Sequence, residues 1–309
     1  MKRSEVAYIV LFIWLVTSCQ SKKSDNVAEV FPDELVSFTP YEHNPVFTGT
    51  DSDTWDQHIR ERGYILKEDG VYKMWYTGYR SGEEEIKKLG YATSTDGINW
   101  TRYPGNPIFD RYWTEDVFVI RHEGKYYMTA EGVNDIAHML TSDDGIQWTN
   151  IGDLDIRKVN GEPIDSGAYG TPTLWIENGK WYLFYEREDK AIWLATSTDH
   201  TVWTNVQDEP VIVPGPDAYD AYAVAVDQVI NYKDRYYAYY HASPDKDWST
   251  WNSDVAVSDD LIHWTKYDKN PIVNSDSLHR DISSPMVVWD GNRYILYTMH
   301  DGVRVYFPE

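Results

Sequence analysis

Hydrophobic and polar positions repeat along this chain with a nearly constant period. Five times, a short apolar run meets a Gly or Asp turn and returns as an alternating run rich in aromatic residues, as in Lys180–Tyr185. This alternation is typical of β-hairpins. Successive turns are 54, 55, 55 and 57 residues apart, which predicts a repeat fold whose units pack on one another. The predicted hairpins are Ile65–Tyr76, Val119–Thr129, Leu174–Tyr185, Val229–Tyr240 and Val287–Thr298.

A second signature follows each of the first four hairpins: Ser, any residue, Asp, three residues, then Trp-Thr. The first copy runs from Ser94 to Thr101. It predicts a second hairpin with an Asp-Gly type turn, hence four strands per unit. Five such units make an all-β, five-bladed β-propeller. An open β-solenoid or two β-sandwiches are the alternatives.

The fifth unit is incomplete, because the chain after Thr298 is too short for a second hairpin. We expect its outer strand to come from the N-terminal stretch Val36–Thr39. A ring closed in this way has no exposed sheet edge at the junction.

The N-terminus predicts export. Met1–Arg3 is basic, Val6–Val16 is apolar but short for a membrane span, and small residues precede Cys19, the one cysteine of the chain. This resembles a bacterial lipoprotein signal, although an ordinary signal peptide is the alternative. We expect a signal peptide over residues 1–18, a lipid-anchored polar tether over 19–35 with lipidation at Cys19, and the catalytic propeller over 36–309. The expected location is the bacterial cell envelope.

Charge narrows the range of partners. The chain has 50 acidic and 28 basic residues, a formal net charge of −22. Such a surface repels nucleic acid and anionic membranes. We therefore expect no nucleic-acid partner, membrane contact only through the lipid anchor, and a monomer.

The repeat also predicts where polar side chains converge. In each blade, the start of the inner strand and the end of the second strand lie side by side at one mouth of the central channel. Counting back eight residues from each hairpin turn gives the inner-strand positions Arg62, Asp116, Thr171, Val226 and Ser283. Counting forward seven gives the second-strand positions Thr77, Glu131, Glu186, His241 and Thr298.

The hairpins Lys125–Met128 and Lys180–Tyr185 and the strand opening Asn106–Phe109 resemble those of the five-bladed glycosidase superfamily, which includes glycoside hydrolase families 32, 43 and 117. The resemblance covers roughly residues 36–307 and implies an oligosaccharide substrate and three carboxylates at the channel mouth. In these families an Asp opens the first blade, whereas this chain has Arg62 there, so the usual aspartate is missing unless Asp56 or Glu61 substitutes for it. The resemblance thus implies a distant member with an altered first-blade site.

Three functions remain open. In a glycoside hydrolase acting at the non-reducing end, Asp116 would be the base or tune the pKa of the acid, Glu186 would be the acid and Glu131 the reserve. In a lyase or dehydratase, Arg60 and Arg62 would bind the carboxylate of a uronic acid, and a His or Tyr would remove the neighbouring proton. The arginines favour an acidic, uronic or sulfated substrate. A non-catalytic glycan-binding lipoprotein is the third possibility, with Trp113, Trp248 and Trp251 as stacking platforms.

Two sets of candidates follow. The expected catalytic residues are Asp116, Glu186, Glu131, His241 and His58. The expected substrate-binding residues are Arg60, Arg62, His138, Tyr169, Arg187, Tyr222, His279 and Arg280. The histidines lack the spacing of a metal motif, so we expect no cofactor or catalytic metal, although a structural cation in the channel is compatible with the fold.

Overall fold

The computed structural model describes residues 30–82, 87–188, 190–274 and 282–309. Within them, the repeats form five antiparallel blades. Blade 1 contains β3 (His58–Ile59), β4 (Tyr64–Glu68), β5 (Val71–Tyr79), β6 (Lys88–Ser94) and β7 (Thr101–Arg102). Blade 2 contains β8 (Glu115–His122), β9 (Lys125–Glu131), β10 (Ala137–Ser142) and β11 (Thr149–Asp153).

The remaining blades follow the same plan. Blade 3 contains β13 (Gly170–Glu177), β14 (Lys180–Arg187), β15 (Ala191–Ser197) and β16 (Val202–Asn205), with β12 (Asp155–Arg157) added in parallel to β16. Blade 4 contains β17 (Ala223–Tyr232), β18 (Arg235–Ser243), β19 (Asn252–Ser258) and β20 (Trp264–Lys266), and a 3₁₀ turn (Ala218–Asp220) precedes it. Blade 5 contains β21 (Met286–Trp289), β22 (Tyr294–Met299) and β23 (Gly302–Pro308).

The N-terminal segment completes blade 5. Strand β1 (Phe38–Pro40) pairs with the end of β23, and β2 (Phe47–Thr48) pairs with its beginning. The inner strands β4, β8, β13, β17 and β21 neighbour one another in turn, and β21 neighbours β4. The five-bladed propeller and its closure by an N-terminal strand are therefore confirmed.

The Ser-x-Asp signature builds the second turn of blades 1 to 4, and in blade 1 this turn contacts a neighbouring blade. Ser94 Oγ accepts from the Gly97 N–H at 2.9 Å, and Asp96 Oδ1 accepts from the next two main-chain N–H groups. The turn carbonyl of Gly97 then accepts from the hydroxyl of Tyr297 in blade 5 at 3.1 Å. Turn chemistry and blade packing therefore reinforce each other.

The segment before β1 is packed rather than extended into solvent. A short helix, α1 (Asp33–Val36), packs against blades 4 and 5, and Phe31 and Leu35 are buried in an apolar cluster formed by both blades. Sequence analysis assigned these two side chains to the polar tether. The predicted signal peptide and Cys19 lie outside the described residues. No helix of the described chain is long and apolar enough to cross a bilayer.

One arginine fills the channel below the mouth. Arg62 opens blade 1 with φ 51° and is 1% exposed. Its guanidinium donates to the carbonyls of Asp116 (2.8 Å), Pro172 (3.3 Å) and Val226 (3.1 Å), and to the Thr173 hydroxyl. Its Nε lies 3.3 Å from Asp227 Oδ1. The sequence-based prediction that Arg62 binds substrate is therefore wrong, because every direction of the guanidinium faces protein from blades 2, 3 and 4.

We expect Arg62→Met to lower the free energy of unfolding by about 3–5 kcal/mol. The substitution leaves Asp227 buried without its guanidinium and removes donors from three carbonyls. Urea unfolding followed by tryptophan fluorescence measures the effect. Arg157→Met is the matched control, because Arg157 pairs with Asp155 at the surface, where the loss of an ion pair changes stability little. Equal unfolding midpoints for the two variants would contradict the structural role of Arg62.

Candidate functional site

A cavity of about 400 Å³ opens at the mouth of the channel above Arg62. It is lined by Arg60, Glu61, Asp116, Glu131, Asp135, Thr171, His241, Asp247, Trp248, Trp251 and His300. All five blades contribute, because each sends the start or the end of a strand to this mouth. Five of the eleven lining residues are acidic, so the cavity presents mainly carboxyl groups and two indoles.

Blade 1 contributes a clamped carboxylate. Glu61 Oε1 lies 2.8 Å from Arg60 Nη2, and its Oε2 lies 3.0 Å from His300 Nδ1 of blade 5. Burial opposes ionisation of Glu61, but His300 and Arg60 together lower the pKa of its carboxyl to about 2. Arg60 also donates from Nε to Glu115 at 3.0 Å. Glu61 is therefore a fixed negative charge at neutral pH.

Blade 2 contributes two carboxyl groups, Asp116 and Glu131, whose pKa values are raised, whereas the pKa of Glu61 is lowered. Burial raises the pKa of Asp116 well above its usual range, and the neighbouring charge of Glu61 raises it further. Burial and Asp116 likewise raise the pKa of Glu131. Neighbouring carboxyls titrate as a unit, so this pair holds a proton at pH values where an ordinary carboxyl is ionised.

Main-chain contacts distinguish the two members of the pair. Glu131 Oε2 accepts from the Thr171 N–H at 3.1 Å, a bond that favours the ionised carboxylate. Asp116 receives a weaker contact, from the Thr171 hydroxyl at 3.5 Å, and faces the charge of Glu61. The pair therefore shares a proton, which these contacts favour on Asp116 and the neighbouring Arg62 favours on Glu131.

Gly170 lies between Glu131 and Glu186, at the start of β13. Its N–H donates to Glu186 Oε1 at 2.9 Å, and a Cβ at this position would overlap the carboxylate of Glu131. Glu186 is 1% exposed and does not line the cavity. It lies behind Glu131, so the missing side chain of Gly170 allows two carboxyl groups to approach one stretch of backbone.

Blade 4 contributes a histidine held by a buried carboxylate. Asp227 contacts His241 Nδ1 at 2.9 and 3.0 Å through its two oxygens, and it also faces Arg62. Burial works against the charged imidazole, but Asp227 outweighs it and raises the pKa of His241. His241 thus faces the cavity in a fixed orientation.

Besides Arg62, the structure places six further candidates away from the cavity lining. His58 contacts the Ser81 hydroxyl at 2.8 Å. His138 is buried, which lowers its pKa to about 4. Tyr169 donates to the Leu154 carbonyl, and Arg187 donates to the carbonyls of Asp165 and Ala168. Tyr222, which is exposed, and Glu186 complete the set.

The other candidates divide in two. Asp116, Glu131, His241 and Arg60 are brought together in the cavity. His279 and Arg280 lie outside the described residues. No group of three or more side chains suited to a metal ion occurs among the described residues, and the predicted absence of a catalytic metal stays a prediction.

Sequence reasoning missed Asp227, Asp135 and Asp247. Asp227 follows the counted position Val226 by one residue, because β17 bulges between Val226 and Gln228. Asp135 and Asp247 lie on loops that differ between blades. Only the bulged position had a signal in the sequence, namely the polar pair at 227–228 inside an apolar strand.

No family model matches this chain. Among curated proteins it is 26% identical over 156 residues to an uncharacterised protein of Mycobacterium tuberculosis strain H37Rv, a match covering 47% of this chain and 52% of that protein. The chain thus spans about half the length of this relative. It is also 26% identical over 219 residues to the 1,2-β-oligomannan phosphorylase of Thermoanaerobacter sp. strain X514, covering 65% of this chain and 70% of that enzyme.

Solved structures share the fold. A Parabacteroides distasonis protein provisionally assigned as a glycoside hydrolase superposes with a TM-score of 0.73 at 20% identity, covering 88% of this chain and 96% of its own. A structure from the GH130 family of mannoside phosphorylases, which contains hydrolases targeting β-1,2 mannosidic linkages in Candida mannan, gives 0.71 at 17% identity, covering 88% and 94%. The resemblance to five-bladed glycosidases is confirmed at the level of the fold.

We expect Gly170→Ala to reduce any turnover at this cavity roughly 100-fold while the propeller remains folded, because the new methyl group displaces Glu131. Circular dichroism and turnover are measured together. Gly179→Ala, at the other end of the same hairpin, is the control: nothing lies within 4 Å of its Cβ position, and only the positive φ of 74° is strained. If the two variants have equal activity, Gly170 does not position Glu131.

Proposed function

We propose that this protein is a glycoside hydrolase that removes sugars from the non-reducing end of a neutral oligosaccharide. The observation that carries the proposal is the coupled pair Asp116 and Glu131, held beside the permanent charge of Glu61. Glycoside hydrolysis requires one carboxyl group that keeps a proton and one that is ionised. Environments that push neighbouring carboxyls into different states identify the acid and the base.

In the proposed reaction, Asp116 donates its proton to the glycosidic oxygen as the bond from that oxygen to the anomeric carbon breaks. Glu131 takes a proton from a water molecule, whose oxygen bonds to the anomeric carbon. Glu61 stabilises the positive charge that develops on the sugar ring. These roles differ from those expected from the sequence, in which Asp116 was the base or the pKa tuner, Glu186 was the acid and Glu131 was the reserve.

The charge of the cavity supports a neutral substrate. Each cation that lines the described cavity has an acidic partner: Arg60 has Glu61 and Glu115, and His300 has Glu61. His241 has Asp227. A uronic acid or sulfate would therefore meet surplus carboxylates, so the acidic substrate and the elimination reaction lose their main support once Arg62 is buried.

The shape of the cavity supports attack at a chain end. Arg62 and its carbonyl partners close the channel below the cavity, so a bound chain cannot thread through the propeller. Because one relative is a 1,2-β-oligomannan phosphorylase and one structural neighbour comes from a family acting on β-1,2 mannosidic linkages, β-1,2-linked mannosides are the first substrates to test.

Phosphorolysis is the second candidate, favoured by the Thermoanaerobacter relative. In that reaction phosphate replaces water and must be held by cationic groups. The paired cations and five acidic residues that line the described cavity favour water instead. Mass spectrometry of β-1,2-mannobiose digests with and without phosphate separates the two reactions. Free mannose in both digests supports hydrolysis, and a mannose phosphate formed only with phosphate would contradict it.

Replacing the acid is the first test of the residues. We expect Asp116→Asn to lower kcat by about 10²–10⁴-fold, because the amide cannot donate a proton to the leaving oxygen. Glu186→Gln is the matched control, since its oxygen can still accept from Gly170 and it lies outside the cavity. Comparable losses in the two variants would restore Glu186 as the acid.

The pH profile tests the coupling. Activity needs one proton on the pair, so kcat/KM falls on the acid side as Glu131 gains a proton and on the alkaline side as Asp116 loses one. Both raised pKa values place the optimum above the ordinary carboxyl range. Glu61→Gln removes a charge that raises the pKa of Asp116, so its alkaline limb moves to lower pH. Glu115→Gln should move it less, because Glu115 raises that pKa less. If the alkaline limb of Glu61→Gln lies at the same pH as that of the wild-type protein, the assignment of Asp116 as the acid is contradicted.

A further inference from the structure

One wall of the cavity is the loop between β18 and β19 of blade 4, residues 244–251. It contributes Asp247, Trp248 and Trp251 to the lining. Trp248 is 39% exposed, whereas Glu131 is 9% exposed. The loop therefore forms the rim of the cavity, and the acid–base pair lies at its floor.

The backbone of Trp248 is held in an unusual conformation. Its φ is 54°, in the left-handed region that bulky residues rarely adopt and that persists only where the surroundings enforce it. The Trp248 N–H donates to the Asp245 carbonyl at 3.1 Å. Asp245 Oδ2 in turn accepts from the hydroxyls of Ser249 (3.0 Å) and Thr250.

The base of the loop is fixed as well. Ser243 is fully buried, and its hydroxyl contacts the carbonyl of Thr250 at 2.9 Å, across the neck of the loop. Trp251 packs edge-on against His241, with ring centroids 5.1 Å apart. The loop and the His241–Asp227 pair therefore form one wall, and Trp248 is presented on it with little freedom.

We propose that Trp248 and Asp247 form a second sugar-binding subsite, which holds the sugar on the leaving-group side of the bond that Asp116 protonates. This inference rests on the proposed function. An indole face covers the C–H face of a pyranose, and a neighbouring carboxylate accepts from its hydroxyl groups. Because the sugar being cleaved must reach Asp116 at the floor, the next sugar of the chain lies at the depth of Trp248.

The test compares a substrate whose leaving group extends to Trp248 with one whose leaving group does not. β-1,2-Mannobiose has a leaving sugar, whereas β-mannosyl fluoride has a leaving group of one atom that cannot reach Trp248. In Trp248→Ala we expect kcat/KM for mannobiose to fall about tenfold, mainly through KM, with partial recovery in Trp248→Phe. Turnover of the fluoride stays unchanged. Trp289→Ala, an exposed Trp at the other end of the inner strand β21, is the control and should affect neither substrate.

Two outcomes overturn the subsite. An equal fall on both substrates means that Trp248 acts through the structure of the floor, and no fall on mannobiose means that it does not bind the leaving sugar. Both differ from a failure of the proposed function, in which the wild-type protein cleaves neither substrate.

If the wild-type protein cleaves neither substrate, binding of an oligosaccharide to the inactive Asp116→Asn variant still tests the subsite. Titration with β-1,2-mannotriose should change the tryptophan fluorescence, and adding Trp248→Phe should remove most of that change. Absence of any change in Asp116→Asn, or an undiminished change in the double variant, overturns the subsite whether or not the wild-type protein is a hydrolase.

Discussion

The guanidinium of Arg62 is the contact on which the rest of this propeller depends. A ring of five blades leaves main-chain carbonyls pointing into its axis, and buried carbonyls need donors. Arg62 supplies donors to blades 2, 3 and 4 from blade 1 and places its charge beside Asp227. The Arg62 side chain thus donates to the carbonyls that face the axis, neutralises the buried Asp227 and closes the channel. The cavity above it is a blind pocket for this reason.

The same arrangement determines the electrostatics of the site. Asp227 lies beside Arg62 and contacts His241 through both of its carboxylate oxygens, which fixes the orientation of the imidazole. On the other side of the mouth, Arg60 and His300 lower the pKa of Glu61, and the charge of Glu61 adds to burial in raising the pKa of Asp116. Two carboxylates held by ion pairs, Glu61 and Asp227, therefore lie on either side of the site.

The sequence predicts the structural features that recur with the repeat period and few of the others. Because hairpin turns recur at a constant interval, counting from them places Asp116, Glu131 and His241 at one mouth, where the structure has them. Counting fails at Asp227, since a β-bulge inserts one residue that the period does not record. It also cannot show that Arg62 turns inward, because Asp116 and Thr171 share its positive φ at the strand start but line the cavity. The loop that carries Trp248 belongs to one blade only, so no periodicity describes it.

The balance of charge in the cavity is what distinguishes the reactions that this fold can support. Water and phosphate approach an anomeric carbon in the same way, but phosphate brings negative charge that must be offset by cations free to contact it. In this chain Arg60 and His300 contact Glu61 instead, and His241 contacts Asp227. The carboxylates that raise the pKa of Asp116 thus also disfavour an anionic nucleophile. The same carboxylates that would make Asp116 a better acid for glycoside cleavage also make the cavity a poorer site for phosphate. One set of side chains therefore accounts for both properties of the proposed hydrolase.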